Sequence, residues 1–126
     1  MSYTAKVIES SKELTAKEKV LLKDMSDVTM LDDIVTPEQG VIIDIDFTAT
    51  VSVHNDMVKD GDPDYNKYVY VDKSGERYVS GSESLHRQYA DIAEEMENEN
   101  EPWGIKVIKK ESSNYKGKFF LTCVIV

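Results

Sequence analysis

Residues 41–53, VIIDIDFTATVSV, alternate with a period of two. Val41, Ile43, Ile45, Phe47, Ala49, Val51 and Val53 point one way, and mainly polar residues point the other. That pattern predicts a long strand with one buried face. A strand this long in a small protein bends or curls, as in a barrel. Further on, Tyr68-Val69-Tyr70-Val71 reads as a strand. Asp72 to Gly75 is a tight turn, and Glu76 to Ser80 returns, so residues 67–80 form a hairpin. Leu85, Tyr89, Ile92 and Met96 then fall on one helical stripe, with Asp91, Glu94, Glu95 and Glu97 opposite. Ser82 or Ser84 caps this helix, which spans about 83–97 and ends before Pro102. Trp103 to Lys110 and Phe119 to Val126 are two more strands around the turn SSNYKGK.

The N-terminal part is harder to read. Residues 1–13 are polar and predict a flexible segment. In residues 15–24, Thr15 and Glu18 spell a capping box and favour a short helix. The compact run Val20-Leu21-Leu22 also suits a strand. The strand reading is preferred because it fits the fold class below. Ser26 to Gly40 is a connector, and residues 54–66 form an acidic loop around Gly61 and Pro63.

The order is strand, long strand, hairpin, one helix, hairpin, without βαβ alternation or repeats. The expected class is mainly β, a small barrel of the oligonucleotide-binding type with one amphipathic helix. At 126 residues, 14–126 is expected to be one domain. The lone cysteine, Cys123, permits no internal disulfide and suits a small buried hydrophobe. The start of the chain lacks a signal-peptide pattern and no run is long enough to span a membrane, which points to the cytoplasm.

Charge changes the picture. The formal net charge is -9. Residues 81–104 hold one basic and seven acidic side chains, whereas residues 105–126 hold five lysines and one acid. Positive charge therefore gathers on the last hairpin, at Lys106, Lys109, Lys110, Lys116 and Lys118.

A search for catalytic chemistry finds no phosphate loop, no metal-spaced Cys or His set and no nucleophile elbow. His54 and His86 lie far apart in polar company and read as surface histidines. The acids at 56–64 lack the order of a calcium loop and read as solvated. Asp44 and Asp46 read as facing water. No cofactor, metal or enzymatic activity is expected. A binding role has more behind it. Single-strand binders combine positive charge for phosphates with aromatic faces for bases. Tyr115, Lys116, Lys118 and Phe120 supply both in one hairpin, beside Lys106, Lys109 and Lys110. Tyr68, Tyr70 and Arg77 are further candidates on the middle hairpin. The plain alternative is that these lysines solubilise an edge and the aromatics pack a core.

The stretch WGIKVIKKESSNYKGKFFLTCVIV, preceded by the DKSGERYVSGS hairpin and the amphipathic helix, resembles small single-stranded DNA-binding proteins of tailed phages. The resemblance is to the type used in protein-primed replication and to related proteins of Gram-positive phages and prophages. It covers about residue 18 to the end. It implies an oligonucleotide-binding barrel that coats displaced single strands during phage replication, without catalysis. Tyr115, Lys116 and Lys118 match the implied binding set most naturally. It places the protein in the host cytoplasm, with self-association through the C-terminal strand as a further expectation. The alternative, from another class, is an acidic interaction module, a DNA mimic or inhibitor of a host protein, acting through Asp91 to Glu101 and the 56–64 loop.

Overall fold

The computed structural model describes residues 3–57 and 61–126. The alternating segment does form extended chain, but it divides at Asp44. β3 (Val41–Ile43) joins one sheet and β4 (Ile45–Asn55) joins another. The described strands thus form two sheets, and they do not close into a barrel. The mainly β class with an amphipathic helix stands. The chain separates into two compact units, one of Met1–Thr29 with Asp46–Gly81 and one of Met30–Ile45 with Ser82–Val126.

The first unit is built on the five-stranded sheet, in the order β1-β4-β5-β6-β2. β1 is Tyr3–Ser10, β2 is Thr29–Met30, β5 is Asp64–Asp72 and β6 is Arg77–Ser80. β1 corrects the expectation of a flexible N-terminus over the part that is described. It pairs antiparallel with β4, from Tyr3 opposite Asn55 to Ser10 opposite Ala49, with a bulge between Val7 and Glu9. The alternating face of β4 is buried at Phe47, Ala49, Val51 and Val53, as expected. Thr48 and Thr50 are buried too, so the middle of β4 is covered on both sides.

Residues 15–24 are the second correction. They form α1 (Ala16–Lys23), not a strand. The capping box is complete: Glu18 N–H donates to Thr15 Oγ1 at 3.1 Å, and Thr15 N–H donates to Glu18 Oε1 at 3.0 Å. A cap of this kind contributes about 1 kcal/mol, enough to decide a short ambiguous run. The bond from Thr15 N–H also holds the Glu18 carboxyl below its usual range, helped by Lys12 at 2.9 Å.

The second unit is a three-stranded sheet, β3-β7-β8, with helix α3. It also holds the short helix α2 (Leu31–Ile34), whose Leu31 is buried. β7 is Ile105–Glu111, β8 is Phe119–Ile125 and α3 is Glu83–Glu95. Ser82 caps α3 by accepting from Leu85 N–H at 3.2 Å, so the sequence signal for a cap there is realised. The helix packs against β8 and buries Leu85 and Tyr89. Tyr89 stacks on Trp103, with ring centroids 6.2 Å apart. Gly104 starts β7 where the backbone runs close to β3. A Cβ at that position would lie 2.8 Å from the Ile43 carbonyl oxygen, so a side chain has no room.

No helix among the described residues is long and apolar enough to cross a membrane.

Candidate nucleic-acid interface

The site begins with strand alternation on the last hairpin. Ile105, Val107, Lys109 and Glu111 share one face of β7, and Lys106, Ile108 and Lys110 share the other. The register carries this to the neighbours. Ile42 lies opposite Lys106, Lys106 opposite Val124, Ile108 opposite Thr122 and Lys110 opposite Phe120. On the inner face Ile43, Ile105, Val107, Leu121 and Cys123 are all buried. The outer face is open. Ile42 is 64% exposed, Val124 41% and Phe120 38%, with Lys106 and Lys110 exposed beside them. A row of Ile42, Lys106 and Val124 therefore crosses three strands, and Lys110 with Phe120 forms a second row. Strands spaced about 4.8 Å apart make this a shelf roughly 10 Å wide.

The turn extends the shelf. Ser112 N–H donates to the Lys118 carbonyl at 2.8 Å, and Lys118 N–H donates to the Tyr115 carbonyl at 3.1 Å. These bonds close the loop of residues 112–118. Gly117 sits at φ +82, a left-handed conformation that favours glycine, and so lets the chain reverse between Lys116 and Lys118. Tyr115 stands at the tip and is 68% exposed, and both lysines are exposed. The ring has no burial role there. Phe119, opposite Glu111, is exposed as well.

Of the residues marked in the sequence, Tyr115, Lys116, Lys118, Lys110, Lys106 and Phe120 come together on this hairpin. Lys109 does not share their face. It is half-buried on the inner side, opposite Leu121. Tyr68, Tyr70 and Arg77 belong to the first unit. Tyr68 and Tyr70 are buried, Tyr70 completely, and offer no ring face to a base. The reason is position: β5 is an interior strand, and residues 68–71 are all buried, so both its faces are covered. Arg77 has a structural task. Its Nη1 donates to the Leu21 carbonyl and, at 3.0 Å, to the Asp24 carbonyl, tying β6 to the end of α1. Ile42 and Val124 were missed by sequence reasoning. Only the pairing register places them beside Lys106.

Other candidate chemistry resolves as follows. Cys123 is buried, and burial pushes its thiol up to about 11, far from a reactive thiolate. His54 is engaged on both ring nitrogens, by Asp64 at 2.5 Å and Asp56 at 2.6 Å. Asp64 first, then Asp56, raises its pKa above the ordinary 6.5. Of the acidic 56–64 loop, residues 58–60 lie outside the described residues. Among the described residues no group of three or more His, Cys, Asp or Glu side chains is arranged to hold a metal ion.

Comparison with family models, with curated proteins and with solved structures finds no match to this chain.

Proposed function

We propose that the protein binds single-stranded DNA without sequence preference, on the outer face of the β3-β7-β8 sheet and its 112–118 turn. The observation that carries this reading is the register that sets exposed Ile42, Val124 and Phe120 directly beside Lys106 and Lys110. Each partner of a nucleic-acid strand finds a match there. Phosphates meet Lys106, Lys110, Lys116 and Lys118. Bases stack on Tyr115 and Phe120 and lie against the aliphatic side chains. A duplex hides its base faces and gains only the phosphate contacts, so single strands are preferred. The acidic remainder of the chain repels nucleic acid and confines binding to this shelf.

The role follows the sequence resemblance: coating of displaced strands during phage replication, by binding alone. A kinship with oligonucleotide-binding barrels belongs to the same proposal, because such barrels also work through a strand surface carrying aromatics and basic groups. The closed barrel itself is not required, since the outer face of one three-stranded sheet and its 112–118 turn carry the set.

The test is a titration of labelled oligo-dT, oligo-dA and duplex DNA at several salt concentrations. Three to four phosphate contacts give a log–log salt slope of about -2 to -3 on single strands, at roughly 0.7 per contact. Replacing Lys110 and Lys116 by Glu removes binding. Neutralising Asp91, Glu94 and Glu95 leaves it intact or strengthens it. No binding of single strands at low salt sinks the proposal and moves attention to the acidic helix.

A further inference from the structure

The second unit separates its charges onto two surfaces. Leu85 and Tyr89 face inward on α3, so Arg87, Asp91 and Glu94 lie on the outward stripe, with Glu95 beside it. All are exposed, and Glu97, Glu99 and Glu101 continue the acidic run. Lys106 and Lys110 lie on the outer face of the sheet, with Lys116 and Lys118 exposed on the adjoining turn. On that face Lys106, Lys110, Phe120 and Val124 are exposed and Ile108 and Thr122 half-buried. Among the described residues, none of these acids and none of the five hairpin lysines takes part in an ion pair within the chain. Two strong patches of opposite sign therefore remain unneutralised in one copy.

We propose that the acidic outward surface of α3 docks on the lysine face of a second copy of this chain, head to tail. Charge complementarity selects this occupant, since seven acids against one arginine in residues 81–104 meet five lysines against one glutamate in residues 105–126. Shape agrees. A helix about 10–12 Å in diameter fits a shelf roughly 10 Å wide. Exposed Ala90, on the outward side of α3, lets the helix come close to Ile42 and Val124. The contact joins two different surfaces, so it does not close on itself and adds copies in a row. Exposed ion pairs are weak and screened, which makes the assembly reversible and confined to low salt. A single strand of DNA on the same lysines displaces the neighbour's helix.

Sedimentation velocity without nucleic acid tests this, on the wild type and two variants, Lys106→Glu/Lys110→Glu and Glu94→Lys/Glu95→Lys. The wild type is expected to sediment faster as its concentration rises at low salt, and as a monomer at high salt. Each variant alone stays monomeric, because reversing two charges on one surface removes most of the opposition in sign between its two surfaces. An equimolar mixture of the two variants associates again, since each supplies the surface the other lacks. That recovery also shows that both are folded. A wild type that is monomeric throughout, association that persists in either variant, or a mixture that stays monomeric overturns the proposal. The docking does not rest on the nucleic-acid reading. If oligo-dT fails to bind, that reading fails while the association stands. Association that survives saturation with bound oligo-dT places the contact elsewhere and overturns it.

Discussion

The β5–β6 and β7–β8 hairpins look alike on paper. Each is antiparallel, and each brings tyrosine together with basic residues. In the first, Tyr68 and Tyr70 are buried and Arg77 is spent on the carbonyls that end α1. In the second, Tyr115 and Phe120 stand in solvent beside lysines with no ion-pair partner in the chain. The difference is place in the sheet. β5 has a strand on either side and both faces covered, whereas β8 ends its sheet and shows one face to water. The same residue types thus serve packing in one hairpin and recognition in the other.

Substitutions can break that contrast. Tyr70→Ala is expected to have the largest effect, a loss of about 3–5 kcal/mol in stability, because it empties a fully enclosed aromatic site. Chemical denaturation reads it, and a loss under about 1 kcal/mol would show that the ring is not part of a packed core. Gly104→Ala forces the start of β7 away from the Ile43 carbonyl and is expected to cost about 1–3 kcal/mol. It should weaken oligonucleotide binding as well, because the register beside β3 carries the shelf. Tyr115→Ala inverts the Tyr70 outcome. Stability stays within about 0.5 kcal/mol, while single-strand affinity falls by about 1–3 kcal/mol, as for the loss of one base stack. Tyr115→Phe keeps both. A Tyr115→Ala variant that binds like wild type removes this ring from the interface.

The smallest expected effect is on pH dependence in the first unit. The His54 pKa is raised in the folded state by Asp64 and Asp56. Its stabilisation is complete below the ordinary value of 6.5 and fades as pH rises through the higher folded value. A thermal scan from mildly acidic to mildly alkaline pH should show a small fall in Tm that His54→Gln lacks. Equal slopes for both chains would show that the two contacts are not made in solution.

Several elements were legible because their signals are local. The Ser82 cap and the stripe from Leu85 to Met96 define α3, and the period-two run defines the inward face of β4. Residues 15–24 show what happens when two local signals compete. The capping box at Thr15 was the decisive one, because both of its hydrogen bonds form within one turn. β1 was missed because its alternation of Tyr3, Ala5 and Val7 with Thr4 and Lys6 is short and breaks at Val7-Ile8, where the pairing with β4 bulges. The lysines and Tyr115 of the candidate site could be read directly from the chain. The burial of Tyr68 and Tyr70 could not, since it depends on what lies on each side of β5.

Most of the helices and strands, and the gathering of positive charge on the last hairpin, are legible along the chain alone. Those properties follow from neighbours along the chain: caps, periods of two and 3.6, turn residues and the order of charges. The tertiary structure decided which aromatics are core and which are surface, the division of the 41–55 run between two sheets, and the alignment of Ile42, Lys106 and Val124. These depend on contacts between segments far apart in sequence. A one-residue shift in register would turn every side chain of β7 to the opposite face and bury the lysines instead of the valine.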